Sequence, residues 1–131
     1  GVFITAILQS SSVAGGIIVT LVGNNVIELY RGIAFILGSN IGTCITAFLA
    51  GTCAGSEAKK LAVGHFLFNL IGVITVIFIY NDFVNLIILM DYEPARQLAY
   101  AHTIFNVFTL FIIMPFFNIL LSILEGKKKL W

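Results

Sequence analysis

Four long apolar stretches make up most of the chain, and short polar segments separate them, one of which is predicted to form a loop over residues 51–60. The apolar stretches cover residues 1–23, 32–50, 61–80 and 96–124, with the charged residues at their ends, between them or after them. A helix of roughly 20 residues crosses a bilayer core of about 30 Å. The pattern therefore predicts an all-α membrane protein with three transmembrane helices over the last three stretches. The third of these helices should bend or end near Pro115.

The first apolar stretch is interrupted at its middle. Four polar residues separate two arms, 1–8 and 13–23: Gln9, Ser10, Ser11 and Ser12. Each arm has about half the length that a bilayer core requires. The stretch is either one spanning helix with a polar middle or a re-entrant helical hairpin with its tip at the midplane. Because serine side chains compete with regular helix by bonding to nearby backbone, we favour a hairpin over residues 1–23.

A second polar run lies at the centre of the stretch 32–50, over residues 38–43. Gly38 and Gly42 are four residues apart, a spacing typical of faces where membrane helices pack closely. That packing explains the glycines but leaves three polar side chains without a role: Ser39, Asn40 and Thr43. Polar groups at membrane depth are tolerated where they face protein, a cavity or a ligand. We therefore predict that residues 38–43 break the helix and lie within reach of the first polar run.

The last two apolar stretches share a weak internal repeat. Each places a histidine four residues before an asparagine near its entry end: His65 with Asn69, and His102 with Asn106. Residues four apart lie on one helical face. The simpler interpretation of these pairs is an interhelical hydrogen bond that fixes packing. The more specific interpretation is a proton relay.

Composition narrows the class of protein. Of 131 residues, 60% are hydrophobic and only 10% are charged, against about 25% charged residues in ordinary globular chains. The chain is therefore a membrane protein whose surroundings are the lipid bilayer. A formal net charge of +1 without a basic stripe gives no indication of nucleic-acid binding. Cys44 and Cys53 lack metal-site spacing and are interpreted as free thiols.

Lysine and arginine positions predict the orientation. Segments 24–31 and 81–96 share one side of the membrane and carry two basic residues, Arg31 and Arg96. Segment 51–60 and the tail 125–131 share the other side and carry five: Lys59, Lys60, Lys127, Lys128 and Lys129. The positive-inside rule places the C-terminus in the cytoplasm, in a multi-pass protein of the cell (inner) membrane. Because the chain begins inside an apolar arm, we interpret it as part of a longer protein.

A helix break at membrane depth gathers donors and acceptors at one point. Helix N-termini carry partial positive charge and favour anions, whereas helix C-termini and unwound carbonyls suit a small hard cation such as sodium. Neither polar run contains a fixed positive charge. An anion would therefore be held by neutral donors, and cotransported cations would have to balance its charge.

Four ordered segments resemble the type II sodium/phosphate cotransporters, most closely the second of the two inverted repeats in bacterial members. They are Thr5-Ala-Ile-Leu-Gln9-Ser-Ser-Ser12, Leu37-Gly-Ser-Asn-Ile-Gly-Thr43, and the pairs His65/Asn69 and His102/Asn106. The resemblance implies sodium-coupled phosphate symport without an organic cofactor. It implies phosphate contacts from Gln9, Ser10, Ser11, Ser12, Ser39, Asn40 and Thr43, and sodium contacts from Gln9, Ser10, Ser12, Asn40 and Thr43.

The sequence departs from that family in two respects. Cys44 stands where many relatives would have a second threonine. Only one Gln-Ser-Ser-Ser hairpin is present, so half of the site is missing. The resemblance implies that the second inverted repeat comes from a lost upstream half or from an identical chain inserted upside down.

Other functions remain open at this point. An anion channel without sodium coupling would also place polar residues at the midplane, and a structural membrane subunit would bind neither ion. An intramembrane hydrolase is disfavoured, because the serines are predicted at the midplane and the histidines near opposite surfaces. We therefore expect a transporter and not an enzyme.

Overall fold

The computed structural model describes residues 1–125, except the side chains of Ile123 and Glu125. These residues form seven α-helices and one 3-10 turn, without a strand among them. The predicted lysine cluster of the tail lies outside the described residues. The helices are α1 (Val2–Leu8), α2 (Ser11–Gly23), α3 (Leu29–Cys53), α4 (Ser56–Phe78), α5 (Tyr80–Met90), α6 (Pro94–Ile113) and α7 (Phe117–Glu125).

Three helical segments are long and apolar enough to cross a membrane. They are α3, α4 and the segment Pro94–Ser122, which joins α6 to most of α7. The 3-10 turn Met114–Phe116 contains Pro115 and separates α6 from α7. Proline cannot donate a backbone hydrogen bond and clashes with the preceding turn, so a straight helix does not continue through it. The prediction of an all-α fold with three helices long and apolar enough to span a membrane is confirmed over residues 1–125.

Two of these helices are longer than their apolar stretches. α3 and α4 extend into the segment that we expected to form a loop over residues 51–60, and only Ala54 and Gly55 separate them. Gly55 has φ +96°, a backbone conformation that glycine adopts without steric cost. The loop prediction was wrong because charged residues such as Lys59 and Lys60 are good helix formers, and helix continues where hydrophobicity ends.

The polar segment 81–94 also contains a helix that the sequence analysis missed. α5 buries Phe83, Val84 and Ile87, while Asn81 and Asp82 are exposed. Apolar positions at i, i+1 and i+4 lie on one helical face. The local signal was present, but the neighbouring polar residues obscured it.

The start of α6 is fixed by a compact polar turn. Arg96 bonds both carboxylate oxygens of Asp91, at 2.8 Å and 3.0 Å. This hydrogen bonding holds the pKa of Asp91 below its usual value. Gln97 donates to the Asp91 backbone oxygen at 2.6 Å, and Pro94 occupies the first turn, where its missing N–H costs nothing. The turn therefore fixes the residue at which α6 begins after α5.

α3 lies at the centre of the described chain and contacts α1, α2, α4 and α6. The main apolar core joins α2, α3, α4, α5 and α6. Its buried members are Ile18, Val22, Ile33, Ile36, Leu37, Val76, Phe83, Val84, Ile87, Leu98, Ala101 and Phe105. Both polar runs of the sequence are thus attached to the central helix or are part of it.

Candidate functional site

Residues 2–23 form two helices with a break at Gln9 and Ser10. Gln9 ends α1 in the left-handed conformation, with φ 52° and ψ 26°. Ser10 is extended, with φ −151° and ψ 109°, and caps α2. Its hydroxyl accepts from the Val13 amide at 3.3 Å, and its carbonyl accepts from the Ala14 amide at 3.1 Å. Serine favours this position because its side chain satisfies an amide that the helix leaves unpaired.

The break brings two helix ends of opposite polarity together. The last carbonyls of α1 and the first amides of α2, including those of Ser11 and Ser12, have no partner within their own helix. Partial negative charge at the end of α1 therefore meets partial positive charge at the start of α2. Gln9 and Ser12 are exposed, and Ser10 and Ser11 are half-buried. These groups are accessible to a small ion.

The second polar run does not break its helix. α3 is continuous from Leu29 to Cys53, so the predicted broken helix over residues 38–43 was wrong. Two polar side chains instead bond to carbonyls of their own helix. Asn40 donates its Nδ2 to the Ile36 oxygen at 3.0 Å, and the Thr43 hydroxyl lies 2.7 Å from the Asn40 oxygen. A polar side chain that bonds to a carbonyl oxygen of the preceding turn is satisfied without a break in the helix, so the backbone stays helical.

The polar side chains of residues 38–43 are buried or half-buried. Ser39 and Asn40 are 4% and 7% exposed, and Thr43 is half-buried. Ser39 lies beneath α1, where its hydroxyl is 2.8 Å from the hydroxyl of the fully buried Thr5. This hydrogen bond joins the arm that precedes Gln9 to the polar run of α3.

Two glycines of α3 allow this close contact. A Cβ at Gly38 would lie 3.1 Å from the Val2 amide nitrogen, and one at Gly42 would lie 2.6 Å from the Val2 oxygen. The expected glycine packing face therefore exists, and its partner is α1. Because the start of α1 meets Gly38 and Thr5 meets Gly42, α1 runs in the same direction as α3.

α2 returns along the central helix. Its last turn places Val22 against Gly32, near the start of α3, and residues 24–28 make the short connection. The two helices on either side of the break therefore run in opposite directions along α3. The break lies at the end of this pair that is remote from the 24–28 connection.

Thr5 links the arm that precedes the first polar run to Ser39 of the second polar run. Within residues 1–125, no hydrogen bond joins Gln9, Ser10, Ser11 or Ser12 directly to Ser39, Asn40 or Thr43. Sequence reasoning did not select Thr5 as a site residue. Its available signal was that it carries the one polar side chain of the arm 1–8, four residues before Gln9.

The two histidine–asparagine pairs bond within their own helices. Asn69 Nδ2 donates to the His65 backbone oxygen at 3.0 Å, and Asn106 Nδ2 donates to the His102 backbone oxygen at 2.9 Å. In both cases the histidine contributes its carbonyl to the bond, so the shared spacing reflects a local helical contact. The Asn69 side chain also interacts with the Cys44 thiol, which links α4 to α3. An interhelical hydrogen bond from the histidine side chains stays a prediction.

Cys44 contributes to the contact between α3 and α4. Its buried thiol lies 3.3 Å from the Asn40 oxygen and 3.7 Å from the His65 oxygen. A threonine hydroxyl could bond the same Asn40 carbonyl, because that oxygen is one turn back. Cys53 is exposed, and both cysteines are free. Residues 1–125 contain no cluster of three or more side chains suited to a metal ion.

The family of the chain follows from comparison with known proteins. The model of the Na+/Pi-cotransporter family matches residues 1–128. The chain belongs to the Na+/Pi-cotransporter family. Relatives whose names state an activity are transporters and not enzymes. This confirms the resemblance that the two polar runs indicated.

The similarity to individual members of the Na+/Pi-cotransporter family covers different shares of the chain. The uncharacterized protein YqeW of Bacillus subtilis is 36% identical over 119 residues, which are 91% of this chain and 39% of that protein. The sodium-dependent phosphate transport protein 2C of Mus musculus is 45% identical over 78 residues, or 56% of this chain and 13% of that protein. The putative inorganic phosphate export protein YjbB of Salmonella typhimurium is 26% identical over 112 residues, which are 85% of this chain and 21% of that protein.

The chain therefore spans less than half the length of each of these relatives. No solved structure matches it significantly.

Proposed function

We propose that this chain forms one repeat of a transporter that couples inorganic phosphate movement to sodium. Membership of the Na+/Pi-cotransporter family supports sodium-dependent phosphate transport. The break at Gln9 and Ser10 carries the finer proposal, because it brings an amide-rich helix start and a carbonyl-rich helix end to one point. Such a point can hold an anion and a cation side by side.

In this proposal, phosphate binds at the start of α2. The amides and hydroxyls of Ser11 and Ser12 are neutral donors, and the helix N-terminus adds partial positive charge. Ser10 and Gln9 complete the turn around the anion. Ser39, Asn40 and Thr43 form the adjoining wall from the intact α3.

Sodium binds beside the anion in the same proposal. The oxygen donors are the Gln9 amide, the hydroxyls of Ser10 and Ser12, and groups of Asn40 and Thr43. The unpaired carbonyls at the end of α1 add partial negative charge there. Sodium would offset phosphate charge that no lysine or arginine of either polar run can balance.

The proposed assembly contains a second, inverted repeat. One helix pair supplies donors from one side only, and alternating access in inverted-repeat transporters uses two oppositely oriented copies. We propose that α1 and α2 form a re-entrant hairpin in the lipid bilayer, with the break at the midplane. The partner repeat, from an upstream half or a second copy of this chain, would place its own break opposite Gln9.

Transport by reconstituted protein tests this function. Proteoliposomes that contain the intact transporter should accumulate labelled phosphate when an inward sodium gradient is imposed. Uptake should saturate with phosphate and stop when choline replaces sodium, because sodium must balance the bound anion. Equal phosphate flux in sodium and choline would contradict the proposal and favour a channel. Absence of both flux and phosphate binding would favour a structural subunit.

Thiol labelling tests the proposed orientation. Cys53 is exposed at the end of α3, near Lys59 and Lys60, and the positive-inside rule puts that end in the cytoplasm. A membrane-impermeant maleimide should label Cys53 in inside-out vesicles and spare it in intact cells. The variant Cys53→Ser identifies the labelled site, and buried Cys44 should react only after denaturation. Labelling of Cys53 in intact cells would reverse the assigned orientation.

A further inference from the structure

We infer that Thr5 is a positioning residue for phosphate, and this inference rests on the proposed function. Thr5 is fully buried, with a relative exposure of 0%. Its hydroxyl lies 2.8 Å from the Ser39 hydroxyl. The pair is the direct polar link between the helix that ends at the break and the polar run of α3.

The position of Thr5 along α1 lets it control the break. Thr5 lies four positions before Gln9, which corresponds to about 6 Å of helix. α1 has only seven residues, so it has little length over which to absorb a displacement. A change in how Thr5 meets Ser39 therefore shifts or rotates the end of α1 and the serines that follow it.

The surroundings make this hydrogen bond specific. Gly42 leaves so little space that an added Cβ would lie 2.8 Å from the Thr5 Cβ. α1 and α3 are thus already in close contact. The hydroxyl pair fixes the position of α1 along α3. Because the contact is buried, loss of one hydroxyl leaves the other hydroxyl without a hydrogen-bond partner.

Thr5 acts through Ser39 in this arrangement. One hydroxyl donates to the other, which fixes the Ser39 side chain as well as the register of α1. Thr5 itself lies one helical turn before Gln9, the first of the proposed ligands at the break. It is therefore expected to change phosphate affinity without contacting phosphate.

Sodium-driven phosphate uptake by the variants Thr5→Val and Thr5→Ser tests the inference in the intact transporter. Valine keeps the shape and removes the hydroxyl, so the half-saturating phosphate concentration should rise about two- to tenfold. The maximal rate per folded molecule should stay near that of the wild type. Serine restores the hydroxyl and should restore the half-saturating concentration. If Thr5→Val does not accumulate, Thr5→Ala carries the same test without the extra methyl group.

Two controls separate positioning from general destabilisation. Thr109 is also fully buried, and its hydroxyl donates to the Phe105 oxygen of its own helix at 2.8 Å. Thr109→Val should leave the half-saturating phosphate concentration unchanged. In a Ser39→Ala background, Thr5→Val should add no further change, because its partner is already absent.

The outcomes distinguish this inference from the proposed function. Wild-type protein without sodium-driven uptake would overturn both. Wild-type uptake with an unchanged half-saturating concentration in Thr5→Val would overturn the inference alone. Additive effects of Thr5→Val and Ser39→Ala would also overturn it, because Thr5 would then act independently of Ser39.

Discussion

Replacement of Ser11 or Ser12 by alanine should weaken phosphate binding about ten- to a hundredfold. Each substitution removes a hydroxyl at the start of α2, and a hydrogen bond to a charged group is worth roughly 1.5–3 kcal/mol. The helix should persist, because the cap of α2 belongs to Ser10 and not to these two residues. Sodium-driven uptake at subsaturating phosphate measures the loss.

Ser122 provides a comparison serine remote from the break along the chain. It lies in α7, so Ser122→Ala should leave phosphate dependence unchanged. Membrane insertion of all three variants should match that of the wild type. Unchanged uptake by both Ser11→Ala and Ser12→Ala at subsaturating phosphate would remove the start of α2 from the proposed site.

Gly42→Ala should displace α1 and cost about 1–3 kcal/mol of the free energy of unfolding. The added Cβ would lie 2.6 Å from the Val2 oxygen and 2.8 Å from the Thr5 Cβ. The first of these atoms is backbone, so rotation of a side chain cannot relieve the contact. Thermal unfolding in detergent should show the loss of stability, and phosphate uptake should fall with it.

Gly16→Ala is the matched control for Gly42→Ala. Gly16 is also helical, but a Cβ there would meet nothing within 4 Å in this chain. Alanine is favoured over glycine inside a helix by up to about 1 kcal/mol. Gly16→Ala should therefore keep or raise the unfolding temperature. Equal stability of Gly42→Ala and wild type would mean that α1 does not pack on α3 as closely as described.

The membrane-spanning helices could be predicted because their cause is local. Any apolar segment of about 20 residues satisfies the length of a bilayer core, and the three such segments of this chain need no tertiary information. Serine enrichment likewise predicted a break after α1. A serine that caps a helix bonds to a backbone amide two or three residues later, so this signal is also local. α5 was missed because polar residues such as Asn81 and Asp82 obscured its apolar face, which packs against the core.

The unbroken α3 shows where local reasoning fails. Asn40 and Thr43 are polar residues at the centre of an apolar helix, and either a broken backbone or bonds to the preceding turn can satisfy them. The sequence does not distinguish these two solutions. The contact between Thr5 and Ser39 was equally inaccessible, because it depends on how α1 lies across α3. The site residues could thus be selected by chemistry, whereas their pairing required the fold.

The close contact between α1 and α3 also limits which insertions and deletions the protein can tolerate. Deletion of one residue between Thr5 and Gln9 would turn everything beyond it by about 100° and move it by about 1.5 Å. Because Gly42 leaves no room for α1 to slide back, such a deletion would turn the serines away from their present direction. The connection over residues 24–28 lies outside the contact between α1 and α3. Insertions should therefore accumulate there during evolution, while the spacing from Thr5 to Ser12 stays fixed.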